Sequence, residues 1–447
     1  MNGTFELLIC GGICVTPSGI GPADIGVING RIAAIGSFAP ANAAEVFEAK
    51  GLHVFPGVID SQVHFREPGS EHKEDLESGS RAAVLGGVTT VFEMPNTNPP
   101  TITRLALEDK FARARGRMHC DYAFYAGATP ENIGALGILE QMPGVAGVKA
   151  FLGSSTGSLL LNREEDILAA LKAGRRRMAV HSEDEARLRE RKSLAAEGDP
   201  RTHPFWRDVE TARLSTERVL RLARLAGRRV HVLHVTTEEE LPLLAEARDF
   251  ATLETTPQHL TLAAPECYER LGTYAQMNPP IREARHREAL WRAVNEGLVD
   301  VIGSDHAPHT REEKEKLYPG SPSGMPGVQT LVTILLDHVN AHRLSMERFA
   351  DLTSAGAARI FDVAGKGRIA CGYDADFTIV DMGAKKRIEN RWIASKCGWT
   401  PFDGMMTTGW PVATIVRGQT IMRDGALVAG GCGQPVRFGE TLPPSSA

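Results

Sequence analysis

Apolar and polar positions divide the chain into three stretches. In the first, short alternating runs at 5–10, 24–29, 31–36 and 52–55 read as strands, broken by Gly11-Gly12 and by Asn29-Gly30. An Asn-Gly pair between two apolar runs is a strong hairpin signal. After about residue 370 the same texture returns at 376–381 and 413–417, the latter turning through Gly418 into 420–422. These two ends, 1–55 and 366–447, are expected to meet in one small β-sandwich domain built from both chain termini. Between them, over 56–365, apolar runs at 57–64, 88–93, 119–126, 145–151, 177–181, 229–234, 251–255 and 299–305 alternate with helical periodicity. The clearest helical stretches are 105–115, 164–173, 215–226, 238–247 and 283–296. Eight such strands over about 250 residues predict an α/β fold of the (β/α)8 TIM barrel type. A doubly wound sheet is the competing arrangement. It would normally carry a glycine-rich phosphate turn, and neither GxGxxG nor GxxxxGK[ST] occurs.

Composition narrows the function. Of 447 residues, 50 are Lys or Arg and 55 Asp or Glu, a formal charge of −5. That balance argues against a dedicated nucleic-acid or membrane-surface binder. Hydrophobic residues at 42 % and charged residues at 23 % make an ordinary globular mixture, which excludes general disorder. No apolar run approaches the ~18–20 residues of a membrane span, and the first residues lack the basic-then-apolar order of a secretory signal. Seven scattered cysteines read as reduced thiols of a cytoplasmic protein, with Cys10 and Cys14 spaced unlike a zinc ribbon.

The chemistry gathers at the C-terminal ends of the barrel strands, the face where barrel enzymes keep their active sites. The first strand ends in Asp60, Gln62, His64 and Arg66, and the second in Met94-Pro95-Asn96. Lys149 lies inside the fourth, and His181 and His234 end the fifth and sixth. Asn278 follows the seventh, and the eighth ends in Asp305-His306-Ala307-Pro308-His309. One strand-end histidine would be an ordinary packed residue; three with an Asp and a Lys at one barrel mouth have metal-ligand chemistry. Lys149, in an apolar strand, either snorkels at the rim or is functional, because an unpaired buried ammonium is too costly. Asp60 is read as orienting the His64 loop rather than as a ligand. His53, His72, His119, His203, His286, His338 and His342 are read as surface or packing residues. His231, one register off, is expected to face the helices, and Arg175-Arg176-Arg177 to form a solvated turn.

In order along the chain, DSQVHFREPG, FEMPNTNPP, GVKAF, AVHSED, VLHVTT, MNPPIR and GSDHAPH resemble the motifs of the amidohydrolase superfamily, and within it the dihydroorotases. TPFDG and the tail VRGQTIMRDG extend the likeness over nearly the whole chain. The resemblance implies a metal-dependent hydrolase of a cyclic amide, interconverting dihydroorotate and N-carbamoyl-aspartate in pyrimidine synthesis. Allantoinases typically differ where Arg66 and Asn96-Thr97 stand.

By this resemblance two divalent metals, usually zinc, would be held at the positions of Gln62, His64, His181, His234 and Asp305. A bridging carbamate would form on Lys149 from CO2. Other dihydroorotases use an Asp-Asp-Gly segment just after this strand, where this chain has Gly153-Ser154-Ser155-Thr156-Gly157. The clear departure is Gln62, where the family has histidine. An amide oxygen is a weaker zinc donor than an imidazole, so one tightly held zinc is expected, with the second position weak or empty. Asp305 is the expected catalytic acid–base, since a zinc-bound water with its pKa lowered to roughly 7 needs a nearby proton acceptor. Arg66 would clamp the substrate carboxylate. Asn96, Asn278, His309, Pro326 and Gly327 would complete the pocket, under a loop over 318–327. Two rivals remain: a hydrolase of another cyclic ureide (allantoinase or dihydropyrimidinase type), and a silent homologue serving as a structural partner. A small-molecule substrate and a homodimer are expected, with no nucleic-acid or membrane partner.

Overall fold

The computed structural model describes residues 4–442. Eight parallel strands stand in chain order, each bonded to the next: β6 (Val58–Val63), β7 (Val88–Glu93), β8 (Asp121–Gly127), β9 (Val145–Phe151), β10 (Met178–His181), β11 (Val230–Val232), β12 (Ala251–Thr255) and β13 (Val301–Ile302). The ring closes where the chain after β13 reaches β6: the His64 N–H donates to the His306 carbonyl at 2.7 Å, beside a parallel Val63–His306 bridge. The arrangement is the (β/α)8 barrel.

Alternation along the strands builds two cores. Outward residues such as Val88, Val148, Val180 and Leu253 pack against the helices. Inward residues such as Ile59, Phe92, Tyr125, Ala179 and Val301 meet Phe361 and Phe438, which plug the barrel. The helix expected over 215–226 begins six residues earlier and spans Val209–Ala226. Asp208 caps it by accepting the Thr211 N–H, and Gly227 ends it in the left-handed conformation at φ 66°.

The ends of the chain form one nine-stranded, mostly antiparallel sheet. Its strands are β1 (Phe5–Thr16), β2 (Gly19–Ile28), β3 (Arg31–Gly36), β4 (Ala43–Glu48), β5 (His53–Pro56), β14 (Phe377–Arg387), β15 (Met406–Val416), β16 (Gln419–Arg423) and β17 (Ala426–Leu427). The termini join where β5 pairs β14 antiparallel, Val54 opposite Ile379. Asn29 and Gly30, at φ 51° and 69°, make the expected hairpin turn between β2 and β3. Gly11-Gly12 do not break the chain as expected. They form a bulge inside β1, where pairing with β2 shifts register between Ile9 and Gly12. The Lys366 ammonium, 2.7 Å from Asp121 and also paired with Asp374 and Asp376, ties the start of β8 to this sheet. No helix among the described residues is long and apolar enough to cross a membrane.

Candidate active site

The barrel mouth holds a small cavity lined by Gln62, His64, Arg66, Asn96, His181, His234, Asn278 and Asp305. Three of these, Arg66, His234 and Asp305, have left-handed backbone at φ 64°, 39° and 45°. Non-glycine residues rarely adopt it, and such local strain concentrates at functional sites. Here it turns the side chains out of strand alternation and into the cavity.

His181 and His234 face each other, Nδ1 to Nε2, at 3.0 Å. His181 Nε2 lies 2.9 Å from Glu183 Oε2. A carboxylate only accepts, so the ring proton sits on Nε2 and Nδ1 keeps its lone pair. Burial favours the neutral form of both rings. Burial also pushes the Glu183 carboxyl up, but the Arg207 charge and the His181 bond outweigh it and hold it well below its usual range. Arg207 bonds the Ser154 carbonyl as well, at 2.7 Å, linking this imidazole to the loop at 153–157.

A second donor pair lies across the cavity, with His64 Nε2 3.3 Å from Asp305 Oδ1. Asn96 donates through Nδ2 to the Thr156 carbonyl, so its Oδ1 must accept the His64 Nδ1 proton at 2.7 Å. The Gln62 amide nitrogen donates to Asp305 Oδ1 at 2.8 Å. Asp60 Oδ1 accepts the N–H groups of Ser304 and Gln62, tying the end of β6 to the residue before Asp305.

Lys149 reaches inward from β9 with its Nζ buried and unpartnered. Burial lowers its pKa to about 7, and its charge acts on His64, His181 and His234 alike. Among the described residues no three His, Cys, Asp or Glu side chains form a ready metal-ligating group. The donors come as two pairs, and the orphaned Lys149 amine is one buried group that could complete a set. A neutral, buried amine adds CO2 to become a carbamate anion and releases one proton. That product would join the neutral imidazoles in a donor set suited to a divalent cation.

The Arg66 guanidinium is buried, which lowers its pKa only to about 10, and Nε donates to the Pro308 carbonyl at 3.1 Å. His309 lies 3.3 Å from Arg66 and 3.0 Å from the Ser323 carbonyl through Nε2, with Nδ1 3.2 Å from Lys73. Asn278 approaches Ser155 at 3.5 Å and His203 at 3.1 Å. The cavity wall at the 318–327 loop is Ser323 and Gly324. Gly327 instead donates its N–H to His306 Nδ1 at 3.1 Å, and Lys149, His309, Pro326 and Gly327 stand behind the lining.

Two expectations are corrected. His231 faces into the barrel, 5.4 Å from the plugging Phe361 ring and 3.5 Å from Glu254. β11 ends at Val232 and the left-handed backbone at His234 breaks the parity used to place it. Arg176 is buried, not solvated: its guanidinium donates to the carbonyls of Glu140, Val145 and Ala146 and lies over Phe438. Sequence reasoning also missed the roles of Glu183 and Arg207. Glu183 lies within the quoted AVHSED, whereas nothing local marks Arg207, which is 24 residues away.

An amidohydrolase family profile matches residues 211–421, and a dihydro-orotase-like profile matches 51–147. The chain is 37 % identical to a dihydroorotase of Halobacterium salinarum over 93 % of its own length and 96 % of the relative's. It is 32 % identical to an allantoinase of Deinococcus radiodurans, over 94 % and 96 %. The L-hydantoinase of Arthrobacter aurescens superposes with a TM-score of 0.92 at 30 % identity, covering 97 % of this chain and all of that one. The shared motifs, the barrel and these relatives agree: the chain belongs to the amidohydrolase family, among the dihydroorotase-like cyclic amidohydrolases.

Proposed function

We propose that the protein is a metal-dependent dihydroorotase, opening the ring of dihydroorotate to N-carbamoyl-aspartate and closing it in reverse, for pyrimidine synthesis. The observation that carries this reading is Arg66, a buried cation on the wall of the same small cavity as His181, His234 and Asp305. A planar guanidinium there suits a substrate carboxylate, which allantoin and simple hydantoins lack.

His181, His234 and carbamylated Lys149 would hold a zinc ion, with His64 and Asp305 beside them. Such an ion supplies an acidified water and polarises the scissile carbonyl. Asp305 would serve as the acid–base group, accepting a proton on the hydrolysis side of the reaction and returning it to the departing ring nitrogen. Arg66 clamps the carboxylate, with His309 steadying its guanidinium from behind, Asn96 orienting the ring from one side and Asn278 from the other. The loop carrying Ser323 and Gly324 screens the site from water. We further propose a cytoplasmic homodimer. Among the described residues all seven cysteines are free and five are buried, as suits a reducing compartment.

The test is turnover by the zinc-loaded protein of dihydroorotate against allantoin, hydantoin and dihydrouracil. A kcat/KM for dihydroorotate at least tenfold above the others supports the reading. Preference for a neutral ureide moves the protein to a sister activity, and no turnover of any by the loaded protein leaves the structural-partner reading.

A further inference from the structure

We propose that this chain holds a single divalent ion, at His181 and His234, because the Gln62 amide itself closes the position beside His64 and Asp305. The inference rests on the metal-dependent reading above.

The geometry of one hydrogen bond carries it. Gln62 and Asp305 meet at 2.8 Å through Nε2 and Oδ1. A carboxylate can only accept, so the amide must present its NH2 end to Asp305, and the reversed orientation would set oxygen against oxygen. The same Oδ1 is the atom that His64 Nε2 approaches at 3.3 Å. The one carboxylate oxygen shared by these donors is therefore already engaged by a group that cannot ligate a cation and whose hydrogens repel one. A cation entering there would have to break this bond and turn a side chain that is 1 % exposed. Its buried Oε1 already lacks a partner, and turning that oxygen toward a cation would strand the buried NH2 group in its place.

The other position meets no such obstacle. The proton of His181 is drawn away to Glu183, leaving Nδ1 free toward His234, and the unpartnered Lys149 amine is the natural third donor. Two imidazoles, a carbamate and a water are a complete catalytic zinc set. Gln62 thus replaces an ion with a hydrogen bond.

The experiment counts metal. Full-length wild-type, Gln62→His, His64→Ala and His181→Ala proteins are produced with zinc and bicarbonate, dialysed, checked for native circular dichroism and analysed for metal per chain. Cobalt-loaded samples are read by electron paramagnetic resonance. One ion per wild-type chain is expected, retained in His64→Ala and lost in His181→Ala, with an isolated cobalt signal. Gln62→His should rise toward two, with a spin-coupled pair. Two tightly held ions in the wild type overturn the inference and leave the metal reading intact, as does one ion lost in His64→Ala but kept in His181→Ala. Gln62→His remaining at one also overturns it, because the amide would then not be what excludes the second ion. No metal in the folded wild type overturns both.

Discussion

Glu183 fixes the proton of His181. With Oε2 2.9 Å from Nε2, the carboxylate leaves the imidazole one tautomer and turns its lone pair toward His234. Arg207 holds Glu183 in turn, through Nε and Nη2 in a side-on bidentate pair. Glu183→Gln removes the charge and weakens this control. Metal affinity should fall by the ~10–100-fold typical of losing a carboxylate behind a ligating histidine, measured by competition with a chromophoric chelator. Unchanged affinity would show that the tautomer is set elsewhere. Glu183→Ala leaves Arg207 buried without its carboxylate partner and should also cost about 3–5 kcal/mol of stability.

Arg66→Lys tests the carboxylate clamp. An ammonium cannot make the bidentate pair, so kcat/KM for dihydroorotate should drop by about tenfold or more, one tenfold step being 1.4 kcal/mol. Metal content should be unchanged. Full activity in this variant would remove Arg66 from substrate binding.

Asp305→Asn keeps shape and removes basicity. Turnover should fall by ~10²–10⁴ while the protein stays folded. Near-normal turnover at full metal content would assign the proton transfer to another group.

Lys149→Arg preserves a cation but cannot form the carbamate. The variant should lose tightly held metal. The wild type prepared with labelled bicarbonate should show a carbamate carbon signal that the variant lacks. An unmodified Lys149 in fully loaded wild-type protein would refute the assignment.

Lys314 offers a pH test away from the metal donors. Its ammonium is buried and donates to the carbonyls of Gln276 and Pro322 at 3.1 and 2.8 Å, so it anchors the loop over the site. Burial lowers its pKa from 10.5 to about 7. Between those values the unfolded chain binds the extra proton, so this group's contribution to stability rises with pH, by at most about 1.4 kcal/mol per unit. Denaturation of wild type and Lys314→Met across pH 6–10 should show the difference moving in favour of wild type as pH rises. A flat difference would mean that the ammonium is not penalised by burial.

The barrel was legible in the sequence because strand alternation and helical periodicity are local and repeat eight times. The site's donors were legible because barrel strands run parallel, so every strand end reaches one mouth. His64, Lys149, His181, His234 and Asp305 could therefore be brought to one mouth from their positions alone, whereas Gln62 stood out only through the family resemblance, which has histidine there. What only the tertiary structure decided lies in contacts across long sequence separation and in backbone that departs from regular elements. Left-handed φ at Arg66, His234 and Asp305 breaks strand parity, which is why His231 turned inward against expectation. Arg207 meets Glu183 from 24 residues away, and Arg176 found its carbonyls in the preceding strand. Gln62 reaches Asp305 only because the ring of strands closes between its first and last members. A residue's type reports which bonds it can make; the closed barrel selects which partner is within 3 Å.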